Sequence, residues 1–179
     1  MIPVSDKILI DHLKRSSTDE LTELFKTLSA LSIHEMAGEY RGYYLGADGH
    51  PLSNLIWHLG ANLNFFSGVW QGKSFKPISD IEGYGFNTLK KSGMIIRKWP
   101  MRTGVGPSRY DSKSVFALNY RYYYSAAGKM HMQDEIRRVN DQLFLGVGHW
   151  CLPIGVPMAS VWFVLEGPVG PFGATGGRL

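Results

Sequence analysis

The residues best suited to chemistry lie in one charged stretch, Asp134-Glu135-Ile136-Arg137-Arg138. Successive side chains on a strand point to opposite faces, so Glu135 and Arg137 share one face and Asp134 and Arg138 share the other. Neither row is purely apolar. In a barrel, some of this charge would therefore point inward, where a buried charge needs either a paired group or a ligand.

We predict that Arg137 points into the barrel and binds the carboxylate or phenolate end of a ligand, with Glu135 orienting it. Arg121, which lies among several tyrosines, is a second candidate for the same role. The alternative is a solvated outer face on which these charges form pairs with the neighbouring strands. The sequence alone leaves both arrangements open.

Aromatic and histidine side chains supply the remaining candidates. Tyrosine offers a flat apolar wall with one hydroxyl group, which suits a pocket as well as a core. The further predicted ligand-binding residues are Tyr122, Tyr124, His131, His149 and Tyr40. No two of the six histidines have the spacing of metal ligands on one helix or strand, so we expect no metal site and no cofactor.

The spacing of apolar residues along the chain predicts which segments are helices and which are strands. Ser17 and Glu20 have the spacing of a capping box, and apolar residues at helical spacing continue the helix to Leu31. A shorter helix precedes it near Ile8, and another is predicted near residues 52–66. The predicted strands are 38–45, 94–99 (ended by Pro100), 114–124, 130–139, 142–150 and 160–166.

These elements predict an α+β fold that is mainly β. We expect one domain over residues 1–179, in which a helical part (1–35) caps a curled or closed antiparallel barrel (36–166) with its inserted helix. We expect residues 167–179 to form a loop tail. The apolar stretch 143–165 is long enough to span a bilayer, but its glycines and prolines indicate two buried strands and no membrane span.

Two patches resemble a known family. Gly38-Glu39-Tyr40-Arg41-Gly42 and Trp70-Gln71-Gly72-Lys73-Ser74-Phe75 are similar to the GXWXG family, with Tyr40 where the family's name has Trp. The stretch from Asp134 to Gly146 resembles the uncharacterised domain that often follows GXWXG. The resemblance implies a lipocalin-like barrel but no reaction. Tyr40 would either close one end of the barrel or contact the ligand.

Composition limits the other classes of partner. The net charge of +4 is spread over isolated basic pairs, so we expect no nucleic-acid binding. A single cysteine, Cys151, excludes an internal disulfide and favours a reducing, cytoplasmic location. The start of the chain lacks the basic residues and long apolar core of a signal peptide.

Three functions remain. The first is binding of a small hydrophobic ligand, largely apolar with one acidic or phenolic end, in the lipocalin-like barrel. The second is a cofactor-free isomerase, cyclase or dehydratase that uses Tyr, His or Glu side chains in the same barrel. The third is a structural protein with a filled barrel. A second copy of the chain, in a homodimer, is a further candidate partner.

Overall fold

A computed structural model describes residues 4–47, 68–149 and 160–173. Two helices, α1 (Val4–Leu13) and α2 (Thr18–Thr27), and a 3-10 helix (His34–Met36) precede the sheet. The strands are β1 (Gly38–Ala47), β2 (Val69–Pro77), β3 (Glu82–Lys91), β4 (Met94–Pro107), β5 (Ser114–Asn119), β6 (Gln133–Arg138), β7 (Leu143–His149) and β8 (Val161–Gly170). A short helix, α3 (Ala126–Lys129), lies between β5 and β6.

The eight strands form a closed barrel in which every neighbouring pair is antiparallel. β1 closes the barrel by pairing with β8, with Gly42 opposite Leu165 and Tyr44 opposite Phe163. Because closure pairs both edges, the sheet has a distinct interior and exterior. The predicted fold class, a mainly β chain with N-terminal helices on an antiparallel barrel, is confirmed.

Alternating side chains build two cores from the same strands. The interior core lies within the barrel and includes Met36, Tyr40, Phe75, Met101, Phe116, Leu118, Tyr120, Ile136, Phe144 and Phe163. The outer core lies between the barrel and the helices and includes Ile10, Leu13, Leu21, Phe25, Leu143, Leu145, Val147, Trp162 and Val164. The helices thus cover one outer surface of the barrel.

Helix α2 begins as the sequence predicts. Ser17 caps it, and Glu20 completes the capping box by accepting a hydrogen bond from the Ser17 backbone N–H at 2.7 Å. The helix ends at Thr27, earlier than the predicted Leu31, because Leu28 is already extended and Ser29 forms a bridge with Arg138. Leu31 therefore lies in the interior core and not on the apolar face of helix α2.

Strand β4 does not end before Pro100, as the sequence suggests, but continues to Pro107. The pairing with β3 shifts between Gly85 and Asn87, which pair with Met101 and Lys98. Trp99 has a positive φ of 52° at this irregularity. A bulge leaves residues outside the ladder, so proline's missing N–H costs no ladder hydrogen bond there.

Strand β5 is shorter than predicted. It ends at Asn119, and residues 120–132 form turns and helix α3. Period-two alternation correctly places Tyr120 in the interior core, but a tight turn follows, in which the N–H of Tyr123 donates to the carbonyl of Tyr120. Ser125 caps α3 by accepting from the N–H of Gly128, and this short helix occupies the gap between the predicted strands 114–124 and 130–139.

The other strand predictions are confirmed apart from their ends. β8 continues through Gly167 to Gly170, where the sequence predicted a loop tail. The helix predicted near 52–66, together with Trp150 and Cys151, lies outside the described residues. Across the described ranges, none of the helices has the length and apolar character needed to cross a membrane.

The packing of α2 gives a first testable prediction. Phe25 is fully buried and makes edge contacts with the rings of Trp162 and Tyr110, at centroid distances of 5.8 Å and 5.7 Å. Phe25→Ala should therefore lower the free energy of unfolding by about 3–5 kcal/mol, measured by urea denaturation. The exposed Glu23→Ala in the same helix is the control and should change it by less than about 0.5 kcal/mol. Equal losses would contradict this packing.

Candidate ligand site inside the barrel

Arg137 is buried, but on the outer face of β6 rather than in the interior where we predicted it. Its guanidinium forms two hydrogen bonds with the Asp111 carboxylate, at 2.8 Å and 2.7 Å, and one with the Phe25 carbonyl at 2.9 Å. This bidentate pair ties β6 to α2 and to the β4–β5 loop. The Arg137 hydrogen bonds lower the pKa of Asp111 to about 2.

Glu135 lies on the same outer face but does not orient Arg137. Its carboxylate accepts hydrogen bonds from the Ser108 hydroxyl at 2.6 Å and from the Arg109 backbone N–H at 3.0 Å. Both predicted charges therefore hold the β4–β5 loop against the barrel. The prediction that Glu135 and Arg137 point into the barrel is wrong. Asp134 shares the interior face of β6 with Ile136, so Glu135 and Arg137 lie on the outer face.

Four predicted ligand-binding residues lie on the exposed β5–β6 connection. Arg121 and His131 are exposed, and Tyr122 and Tyr124 are 62 % and 93 % exposed. The Arg102 guanidinium stacks over the Tyr122 ring, and the Lys129 ammonium lies over the Tyr124 ring. The end of β5 at Asn119 removes them from the barrel wall. Ligand contact by these residues stays a prediction.

Tyr40 closes the lower end of the interior, which is the end where the 3-10 helix leads into β1. Its ring packs against Phe75 and Phe144 at centroid distances of 5.7 Å and 5.5 Å. Its hydroxyl donates to the Glu35 carbonyl, and burial raises its pKa. This position agrees with the barrel-closing role among our two alternatives, and ligand contact by Tyr40 stays untested.

His149 lies on the outer face at the opposite, upper end of the barrel. Its Nδ1 is 3.1 Å from the Ser160 hydroxyl, and its ring packs against Tyr110. Its Nε2 is buried with no hydrogen-bond partner among the described residues. Burial, with a smaller contribution from Arg109, lowers the pKa of His149 to about 4, so the ring is neutral at pH 7.

The barrel interior contains a group of polar residues that were not among the predicted site residues. We call Lys73, Asn87, Tyr120 and Asp134 the interior polar cluster; each is at most 2 % exposed. The Lys73 ammonium is 2.7 Å from Asp134 Oδ2, 2.7 Å from the Tyr120 hydroxyl and 3.0 Å from Asn87 Oδ1. Its three N–H donors thus have three acceptors.

The other hydrogen bonds fix the direction of each donor. The Tyr120 hydroxyl donates to Asp134 Oδ2 at 2.9 Å and accepts from Asn87 Nδ2 at 3.1 Å. Asn87 Oδ1 also accepts from the Trp70 indole at 3.0 Å, and two donor-only partners fix its amide orientation. One atom is left over: Asp134 Oδ1 is buried and has no hydrogen-bond partner among the described residues.

Burial governs the protonation of this cluster. It lowers the pKa of Lys73, while the Asp134 carboxylate opposes that shift. Burial and the nearby Asp134 charge raise the pKa of Tyr120 far above its usual range, so its hydroxyl keeps its proton and remains a donor. The Lys73 ammonium also lies 5.1 Å from the centre of the Phe163 ring, whose face attracts a cation.

Glycines allow large rings to lie beside the cluster. A Cβ at Gly42 would be 2.3 Å from the Trp70 ring, and one at Gly146 would be 2.2 Å from the Phe163 ring. Trp70 and Phe163 meet edge to face at 5.7 Å. Trp70, Trp99 and Met132 are only partly buried against the interior core, so the upper interior is walled by large apolar groups.

The missed residues had a partial signal in the sequence. Gly38–Gly42 and Trp70–Phe75, which carry the family resemblance, pair as neighbours in β1 and β2, with Tyr40 opposite Lys73. Alternation from Phe75 would place Lys73 inside, and alternation from Ile136 would place Asp134 inside. Their contact could not be predicted, because it depends on which strands face each other across the closed barrel.

Comparison with solved structures supports the fold. A protein from Thermomonospora curvata has a TM-score of 0.58 and 19 % identity, covering 89 % of this chain and 93 % of that chain. An odorant-binding protein is also similar (TM-score 0.47, 12 % identity, covering 77 % and 75 %), as is a bovine odorant-binding protein complexed with its natural ligand (0.43, 11 %, 78 % and 76 %).

Neither a protein-family model nor a curated protein matches the sequence. The resemblance to the GXWXG family therefore stays a prediction, carried by the two patches that pair in β1 and β2. The similarity to the Thermomonospora protein concerns the architecture alone, because the sequences share only 19 % identity.

Neutral His149 should make stability depend on pH. Its pKa is about 4 in the folded protein against 6.5 ordinarily, so between these values the unfolded chain takes up a proton that the folded chain refuses. Stability should fall as the pH drops from 6.5 to 4, and His149→Phe should remove that part of the fall in urea denaturation. Replacing the exposed His131 by Asn is the control; if both variants keep the same pH dependence, His149 is not its source.

The effects of replacing Lys73 and Asp134 on the unfolding free energy should be strongly coupled. Lys73→Met or Asp134→Leu leaves one buried charge unpaired and should cost about 3–5 kcal/mol of unfolding free energy. The double variant should cost clearly less than the sum of the two, because no unpaired charge remains. Lys113→Met, at a lysine side chain that is 69 % exposed, is the control with an expected cost below about 0.5 kcal/mol. Additive losses in the double variant would contradict the pairing.

Proposed function

We propose that this barrel binds a small, largely apolar molecule in the upper part of its interior. The observation that carries the proposal is the fully buried Lys73–Asp134 ion pair among the aromatic rings. A buried ion pair usually stabilises a fold no better than apolar side chains of similar volume. A polar group placed at the base of an apolar interior instead suits a ligand site, where a few polar groups orient an apolar molecule.

The two ends of the interior differ in a way that supports this location. At the lower end, Leu31, Ile33 and Met36 are at most 2 % exposed and fill the space beside Tyr40. At the upper end, Trp70, Trp99 and Met132 are only partly buried. Indole rings provide broad apolar contact, and methionine adapts its shape to what it packs against. The upper end therefore suits ligand entry.

The polar end of the ligand must differ from the one predicted from the sequence. We expected an acidic or phenolic end held by Arg137, but Arg137 lies on the outer face and is paired with Asp111. The interior cation is Lys73, and its three donors already have acceptors. An acidic end therefore has no free cation to bind at this cluster, whereas a phenolic end can still donate a hydrogen bond.

The experiment is a titration of the purified protein with the neutral fluorophore N-phenyl-1-naphthylamine, preceded by native mass spectrometry for any co-purified molecule. We expect saturable binding with energy transfer from tryptophan. Trp99→Ala removes an aromatic wall and should weaken binding about tenfold, which corresponds to roughly 1.4 kcal/mol.

The control for this titration is Ile81→Ala, which removes an exposed apolar side chain in the turn between β2 and β3 and should leave the affinity unchanged. Absence of saturable binding to the unaltered protein would exclude the proposal. An equal loss in both variants would place the fluorophore on the exterior instead.

A second candidate is a cofactor-free enzyme in the same interior. The observation in its favour is the hydrogen-bonded chain from Asn87 through the Tyr120 hydroxyl to Asp134, which could position a proton acceptor. The two candidates differ in the fate of a bound molecule. A carrier returns it unchanged after incubation, whereas an enzyme returns an isomer or dehydrated product, which mass spectrometry and chromatography of the extracted ligand distinguish.

A further inference from the structure

We infer that the barrel selects ligands whose polar end is a neutral hydroxyl group, an alcohol or a phenol, which donates a hydrogen bond to Asp134 Oδ1. This inference rests on the proposed function and names the chemical class that the site takes. Of the polar atoms in the interior polar cluster, Asp134 Oδ1 is the one that is buried without a partner. A buried carboxylate oxygen without a donor is costly to the folded protein.

The rest of the cluster leaves only this one position for a ligand. The ammonium of Lys73, the hydroxyl of Tyr120 and the amide of Asn87 satisfy one another. Oδ2 of the same carboxylate already accepts from Lys73 and Tyr120. A ligand that only accepts hydrogen bonds finds no free donor here, whereas a donor finds Oδ1.

The charge of the ligand's polar end narrows the class of ligand further. A ligand carboxylate would meet the negative charge of Asp134, and like charges at hydrogen-bond distance repel strongly in an apolar interior. A cationic amine would lie close to the Lys73 ammonium, which is 2.7 Å from the other oxygen of the same carboxylate. A neutral hydroxyl group avoids both repulsions and still makes a charge-assisted hydrogen bond.

Gly148 brings the backbone of β7 close to Oδ1. It pairs with Asp134 across β6 and β7, and a Cβ at Gly148 would lie 2.9 Å from Oδ1. The same Cβ would lie 3.6 Å from the terminal methyl of Met132. Methionine is unbranched and flexible, so Met132 can move aside when a hydroxyl group reaches the carboxylate.

The test compares three naphthalenes that differ only in their polar end: 2-naphthol, 2-methoxynaphthalene and 2-naphthoate. Each displaces N-phenyl-1-naphthylamine from the full chain at pH 7, where the phenol is neutral and the acid is ionised. We expect 2-naphthol to bind about ten- to a hundredfold more tightly than the methyl ether, as a hydrogen bond to a charged group implies. The naphthoate should bind more weakly than both.

Gly148→Ala tests the position. The added methyl group covers Oδ1 and should reduce the preference for 2-naphthol over its ether to within about threefold, while the ether still binds. Gly106→Ala is the matched control, because a Cβ at this β4 glycine meets no atom within 4 Å. It should keep the full preference.

The outcomes separate this inference from the proposed function. If the unaltered protein binds the fluorophore but treats 2-naphthol and its ether alike, hydroxyl selection is wrong and apolar binding stands. If neither the fluorophore nor any naphthalene binds, the proposed function itself is wrong. If Gly148→Ala keeps the full preference, the hydroxyl group is recognised elsewhere and the assignment to Asp134 is overturned; if that variant does not fold, the comparison on the unaltered protein decides hydroxyl selection.

Discussion

The closed barrel determines which strands face each other and therefore which side chains meet in its interior. β1 pairs with β8, and this pairing turns a sheet with two edges into a wall with an inside. β2 and β6 are then four strands apart in either direction around the barrel. Lys73 on β2 and Asp134 on β6 meet across the interior at 2.7 Å, so their ion pair exists only when the barrel is closed.

Two buried ion pairs among the described residues differ in what surrounds them. Arg137 and Asp111 lie between the barrel and α2, where the guanidinium also binds backbone carbonyls and joins separate elements. This arrangement is that of a structural tie. Lys73 and Asp134 join only the walls of the interior, and each pair leaves one buried atom without a partner, Asp134 Oδ1 here and Arg137 Nε in the other. The Lys73–Asp134 pair differs in its place among the aromatic rings of the barrel interior.

The barrel interior is closely packed at its lower end and has partly buried tryptophan and methionine side chains at its upper end. Tyr40, Phe75 and Phe144 fill the lower end, and the 3-10 helix closes it. Glycines replace side chains where Trp70 and Phe163 lie against the strands. The same glycine-and-aromatic pattern that suggested a family resemblance therefore has a direct physical cause, because a large ring beside a strand needs a residue with no Cβ beneath it.

The α+β class, like the capped helix at Ser17 and most of the strands, could be predicted from the sequence, because capping and hydrophobic period are local properties. The sequence did not determine how β4 continues past Pro100, because a bulge depends on the pairing with β3. Arg137 was misplaced, because Ile136 is the one strongly apolar residue of this charged strand and the prediction did not use its alternation to choose the inner face. The contact between Lys73 and Asp134 follows only from the folded barrel, because contacts across a barrel depend on strand order and closure.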